Sequence, residues 1–240
     1  MQIEICANSY ASASNAEKAG ADRIELCVEL AVGGITPSFG LIKKVMEKIS
    51  IPVHVLIRPR SGDFTYNDAE FDAMKTDIEL CKKLGCHGIV SGVLHRDFSI
   101  DIKRTKELIA CSKPLSFTFH RAFDWVPNPL QSLEQLLELD VDRILTSGQE
   151  TSVIKGISLL KQLQVLAGNR LIIMPGGGVD KNTIIQCEKA AFKEVHFSAT
   201  ELCKTINYPK VPMNSNRFFD ETQLAISDIS KIKAIVSFVK

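Results

Sequence analysis

The sequence predicts a closed (β/α)8 barrel, an α/β fold of the TIM type, as a single domain over residues 1–240. Three observations point there. Short apolar runs and amphipathic stretches alternate strictly, eight of each, with starts recurring about every 20 to 35 residues, the size of one strand–helix unit. The length of 240 residues is near the ~250 typical of the fold. The segments Gly20-Ala21-Asp22-Arg23-Ile24, Gly85-Cys86-His87-Gly88-Ile89 and Asp140-Val141-Asp142-Arg143-Ile144 echo one another, each leaving a helix, turning and entering a strand.

In order along the chain, strand 3–6 is followed by a helical stretch from Ser12 to Gly20, and strand 23–27 by a helix from Ser38 to Ile49. Leu41, Ile42, Val45, Met46 and Ile49 fall at helical spacing there, and Ser38 is placed to cap them. Strand 53–57 precedes the longest helix, Asp68 to Gly85, which has Phe71, Met74, Ile78, Cys81 and Leu84 on one face and glycine as its stop. Strand 88–92 leads to the helix Asp101 to Cys111, ended by Pro114. Strands 116–119, 143–146, 171–174 and 194–197 alternate with helices over 129–139, 152–166, 181–191 and 222–239, and a long loop over 199–220 follows the eighth strand. A doubly wound sheet is the alternative, but the turn after the first strand, Ala7-Asn8-Ser9-Tyr10, has none of the glycines of a nucleotide fingerprint.

Composition narrows the partners. Hydrophobic residues make up 45% of the chain, enough for a large core, and the net charge of +1 argues against a nucleic-acid or membrane-surface partner. No apolar run reaches the ~18 residues of a membrane span, and no signal segment is visible at Met1 to Cys6. The seven cysteines form no Cys-x-x-Cys pair; free thiols in a cytoplasmic protein are the expectation.

Alternation within the strands assigns their faces. Ile3, Ile5, Ile24, Leu26, Val53, Val55, Ile57, Phe117, Phe119, Val195 and Phe197 suit the side packed on the helices. The inward set is then Glu4, Cys6, Glu25, Cys27, His54, Leu56, Arg58, Ile89, Ser91, Thr118, His120, Thr146, His196 and Ser198. Glu4, Glu25 and His54 fall early or midway and suit a buried structural network. Cys6, Cys27, Arg58, His120 and Ser198 fall at the C-terminal strand ends, the face where barrel enzymes place their chemistry.

The loops of that face add candidates. Arg58 and Arg60 suit an anion, because guanidinium grips carboxylate or phosphate in a fork; the alternative is a solvated loop pairing with Asp63. His120 and Asp124, or Glu25, are candidate acid–base groups, Asp124 being equally suited to a local cap. Thr146 and Ser147 after the sixth strand, Gly176, Gly177 and Gly178 after the seventh, and Ser198 after the eighth offer neutral donors of the kind that cradle phosphate.

The stretches Glu4-Ile5-Cys6, Gly20 to Cys27, Gly33 to Ser38, Ile57 to Phe64, Thr118 to Asp124, Leu145 to Gly148 and Met174 to Val179 together resemble the CutC family of copper homeostasis proteins, from residue 3 to about residue 200. The resemblance implies a cytoplasmic barrel, often a homo-oligomer, concerned with copper. Cys6 and Cys27 match two cysteines at the ends of the family's first two strands, and thiolates on adjacent strands about 4.8 Å apart suit Cu(I). The alternative for this pair is simple packing of small residues. Two readings of function stay open: Cu(I) binding through Cys6 and Cys27, or an enzyme of unassigned reaction acting on a small anionic or phosphorylated metabolite at the mouth.

Overall fold

The computed structural model describes residues 1–213 and 220–240. The elements run β1 (Gln2–Ala7), α1 (Tyr10–Lys18), β2 (Arg23–Leu26), α2 (Phe39–Lys48), β3 (Val53–Leu56), α3 (Asp68–Lys83), β4 (Gly88–Ser91), α4 (Ile102–Ser112), β5 (Ser116–Phe119), α5 (Pro129–Glu138), β6 (Arg143–Thr146), α6 (Val153–Ala167), β7 (Ile172–Pro175), α7 (Lys181–Lys189), β8 (Glu194–Phe197), β9 (Thr200–Lys204), β10 (Gln223–Ser227) and α8 (Ile229–Val239). Strands β1 to β8 form one parallel sheet in sequence order, with β8 returning to pair with β1. A single bridge, Gly176 to His196, joins β7 to β8 and closes the ring. This is the (β/α)8 barrel the alternation predicts.

Local chemistry explains the helix starts. Side chains of Ser9, Ser38, Asn67, Asp101, Asn128, Asp180 and Asp228 each accept a backbone N–H of the first turn. Such caps contribute about 1 kcal/mol apiece. Asn67 and Glu70 cap α3 reciprocally, and Pro129 opens α5.

The echoed segments share one job. The side chain just before the strand accepts the backbone N–H that opens the preceding strand: Asp22 from Ile3 at 2.8 Å, His87 from Val53 at 3.1 Å and Asp142 from Phe117 at 2.7 Å. The repeat is therefore a staple between neighbouring strands, which sets their register.

The expected helix-facing residues lie in the main apolar core between barrel and helices. In β4 the expected parity is off by one. Ile89 belongs to that outer core and the Ser91 hydroxyl donates to the Ile57 carbonyl at 2.9 Å, while Val90 packs inside with Cys6, Cys27 and Leu56. Gly88 takes the inward place that Arg23 and Arg143 hold in the other echoes. A Cβ there would lie 2.5 Å from the His54 ring, so only glycine leaves room for that imidazole.

Part of the stretch expected as a loop over 199–220 is strand. β9 pairs antiparallel with β10, and the last helix begins at Ile229 rather than 222. Ala225 and Ser227 carbonyls accept from Asn8 and Asn15, which ties β10 to α1 and the turn before it. Positions 214–219 of the expected loop, Arg217 among them, lie outside the described residues. No helix among the described residues is long and apolar enough to cross a membrane.

Candidate functional site

Ionisable residues occupy the barrel interior from floor to mouth, and they divide by depth. At the floor, Arg23 donates through Nε to Glu4 and through Nη2 to Glu194, and Arg143 donates to the same Glu194 oxygen at 2.8 Å. His196 Nδ1 lies 2.7 Å from the other Glu4 oxygen. Burial works against charge on Glu4, but Arg23 and His196 outweigh it and hold its carboxyl well below the usual range. Burial leaves His54 neutral, its pKa pushed down to about 3. The expected Glu4–His54–Glu25 cluster is thus half right: Glu4 and His54 share the floor, but arginines hold it together. Arg23, Arg143 and Glu194 carry signals that strand parity could have used, because Arg23 lies two residues before Glu25 and Glu194 two before His196.

Above the floor sit Glu25, Cys6 and Cys27. The Cys6 and Cys27 sulfurs are 3.5 Å apart, and the Cys6 thiol donates to Glu25 Oε1 at 3.7 Å. One donor atom from each of the three falls within 4.8 Å of the others, and so does a second set made of Glu4, Glu25 and His196. Glu25 Oε2 is buried with no partner. Burial pushes the Glu25 carboxyl up to about 7, with nearby His196 working against that rise. The hydrogen bond with Cys27, then burial, push the Cys6 thiol up, so Cys6 rests as the thiol. Burial opposes charge on His196, yet Glu25, Cys6 and Glu4 hold its pKa well above the ordinary value.

A cavity of about 460 Å³ opens over this layer at the C-terminal mouth. Of the expected site residues, Cys6, Glu25, Arg58, His120, Gly177, Gly178 and Ser198 line it. Cys27 is fully buried one layer behind Cys6, under the loop that carries Gly34.

Arg58 is buried, and its guanidinium meets carbonyls rather than carboxylates: Nη1 donates to Val32 and Gly34 at 2.7 and 2.8 Å, Nη2 to Gly62 at 2.6 Å. These bonds fasten the loop covering Cys27. Its Nε has no partner, and the Phe64 ring lies 5.0 Å from the guanidinium carbon. His120 is buried with Nδ1 accepting from Ala122 N at 3.2 Å, which puts the proton on Nε2, an atom without a partner. Burial, then Arg58, push its pKa down to about 3, so it offers a neutral N–H.

Other expected residues lie elsewhere. Arg60 turns outward to Glu70 at 2.6 Å and Asp63 at 3.0 Å, away from the mouth. Asp124 is not placed to act with His120. It accepts from the Thr146 hydroxyl, from Ser147 N and Oγ, each at 3.0 Å, from Gln149 N at 3.1 Å and from Arg121 Nε at 2.7 Å. Thr146 and Ser147 are consumed in that knot, and Leu145, not Thr146, lines the cavity. Gly176 donates to the Thr146 carbonyl at 3.0 Å and serves the ring closure. Arg121 is a cavity residue the sequence reading passes over, although it follows His120 directly.

Comparison with known proteins agrees with these motifs. The model of the CutC family matches residues 1–201. A CutC family protein of Parabacteroides distasonis is 48% identical over 98% of both chains, and the human copper homeostasis protein cutC homolog is 42% identical over 99% of this chain and 89% of its own. Among solved structures, the copper homeostasis protein CutC of Streptococcus agalactiae superposes with a TM-score of 0.78 at 36% identity, covering 82% of this chain and 98% of that one. An aldolase, QR15, at 13% identity and a TM-score of 0.60, shares the fold.

Proposed function

The chain belongs to the CutC family, and from that premise we propose that it serves copper homeostasis by taking Cu(I) between Cys6 and Cys27. The observation that carries this is the 3.5 Å separation of the two sulfurs, one of them in the wall of the mouth cavity. Thiolates are soft ligands suited to Cu(I). With metal–sulfur bonds of ~2.3 Å, sulfurs 3.5 Å apart subtend roughly 100° at the metal, a bent site that needs a third donor. Glu25 is within reach of both sulfurs. Copper is cargo here, entering through the mouth and displacing the thiol protons.

The test is Cu(I) titration under reducing conditions against a competing chelator. The parent takes up one equivalent more than the Cys6→Ser, Cys27→Ser double variant. Equal stoichiometry and affinity in the two proteins would reject the site.

The same reading places the protein in the cytoplasm, where reduced thiols persist, and treats it as a homo-oligomer. Leu202, Tyr208, Val211 and Met213 in and after β9 are exposed apolar residues suited to self-association. Sedimentation velocity checks the latter.

A further inference from the structure

We propose that the mouth cavity is a second ligand site, independent of the copper reading, and that it holds a small oxyanion, a carboxylate or phosphate group, between Arg58, Arg121 and the Nε2–H of His120. No assignment of copper to the cysteines requires such a site, and its residues are different ones.

Three observations converge. The first is charge. Arg58, Arg121 and Lys231 are in the cavity wall, against one carboxyl, Glu25, which lies beside Cys6. Arg121 is neutralised by Asp124 and Lys231 is 4.0 Å from Glu201, but among the described residues no carboxylate lies within 4.0 Å of Arg58. A buried guanidinium stabilised by carbonyl dipoles and the Phe64 ring, with no carboxylate beside it, leaves an excess positive charge, and its field reaches into a sheltered space.

The second is unused donor capacity. His120 is 5% exposed, lines the cavity, and keeps Nε2 without a partner while its Nδ1 is fixed by Ala122. Leaving a buried donor unsatisfied is costly, so an acceptor that reaches Nε2 gains a hydrogen bond the protein does not supply. Arg121 commits Nε to Asp124 and Nη2 to Ser147, leaving the remaining donors of its fork free. An ideal Cβ on Gly177 would come 3.3 Å from Arg121 Nη1, so this glycine, at φ +116°, clears the approach to that donor.

The third is size. At about 460 Å³ the cavity is within the range of small-metabolite pockets and far larger than a single water needs. His120, Arg121 and Arg58 all line this one cavity, so an anion seated there can draw on the imidazole N–H and on both guanidinium groups. The acceptor meets a neutral histidine, so the anion's charge is balanced by arginine and not by a proton on the ring.

The probes are inorganic phosphate and malonate, which separate the phosphate and carboxylate sources of the same chemistry. Each is titrated into the full-length protein at low salt by calorimetry, with the ¹⁵N signal of His120 Nε2 followed in parallel by NMR. The expected result is saturable binding of at least one probe, a shift of that histidine signal, and at least tenfold weaker binding in Arg121→Gln. Arg121 is nearly half exposed, and the melting temperature of its variant is measured alongside. Arg58→Gln is the companion variant, checked for its melting temperature, and loses binding likewise. The Cys6→Ser, Cys27→Ser variant keeps anion binding whether or not it loses Cu(I), so the two readings fail separately. Binding of neither probe, or binding that leaves the His120 signal and the Arg121→Gln affinity unchanged, overturns the proposal.

Discussion

At the N-terminal end of the barrel Glu4, Arg23, Glu194 and Arg143 bond one another in series, whereas towards the C-terminal end Glu25, Arg58 and His120 each keep a buried polar atom with no partner. Both ends use ionisable residues inside a barrel that is ordinarily filled by Val, Ile and Leu. Exceptions lie low in the barrel too: His54 Nδ1, 3.9 Å from Glu4, and Thr118 Oγ1, beside Arg143 in the strand register, are unpartnered. The difference teaches that charge inside a barrel is not itself a sign of chemistry. Paired charge fixes register, while unspent hydrogen-bonding capacity beside a cavity is available to a ligand.

The floor side of this comparison breaks most sharply at Arg23. Replacing it in Arg23→Ala leaves Glu4 and Glu194 buried without their shared cation. A loss of about 3 to 5 kcal/mol in denaturant unfolding is expected, because removing one partner strands the others. A loss below about 1 kcal/mol would mean that the floor is not held by ion pairs.

A second test uses protons and sharpens the mouth side. His120 has a folded pKa of about 3 against an ordinary value of 6.5. Between those values the unfolded chain binds a proton that the folded chain refuses, so stability from this group falls as pH drops from about 6.5 towards 3. His54 acts in the same direction at the floor. Glu25 acts oppositely, since its raised pKa of about 7 gives stability that is full below its unfolded value and lost as pH rises through 7. Differences between proteins isolate one group: His120→Gln is expected to reduce the slope of stability against pH between 6 and 5 by about 1.4 kcal/mol per pH unit. Parallel slopes for parent and variant would show that His120 is not buried neutral.

The smallest effect is expected at Arg60, whose ion pairs with Glu70 and Asp63 are partly exposed. Arg60→Ala should cost no more than about 1 kcal/mol and leave phosphate affinity unchanged. A tenfold loss of phosphate binding would return Arg60 to the mouth.

Much of the site was legible from strand parity. Glu4, Cys6, Glu25, Cys27, Arg58, His120 and His196 all lie inside or at the mouth, because in those runs apolar and polar residues alternate and so reveal their phase. In Gly88-Ile89-Val90-Ser91 they do not: the inward residues, Gly88 and Val90, are apolar, and the one polar residue, Ser91, faces away from the barrel centre and bonds the Ile57 carbonyl. Leu145 and Thr146 invert for a related reason. Leu145 faces the cavity, while Asp124 draws Thr146 into its knot of hydrogen bonds.

Order and spacing along the chain were enough for the eight strand–helix units, the Ser38 cap, the family and the helix-facing wall outside β4. All of these depend on the order and spacing of neighbouring residues, which the chain states directly. Only the tertiary structure decided which charges are spent. Glu4 meets His196 across 192 positions, and Arg23 meets Glu194 across 171. Arg58 and Arg60 are two residues apart, yet one is buried against the loop over Cys27 and the other is held outside by Glu70. Hydrogen bonds and Coulomb attraction act over a few ångströms in space. Whether a given arginine is a staple, a surface pair or a ligand's counter-charge therefore depends on which distant elements the closed ring brings to it.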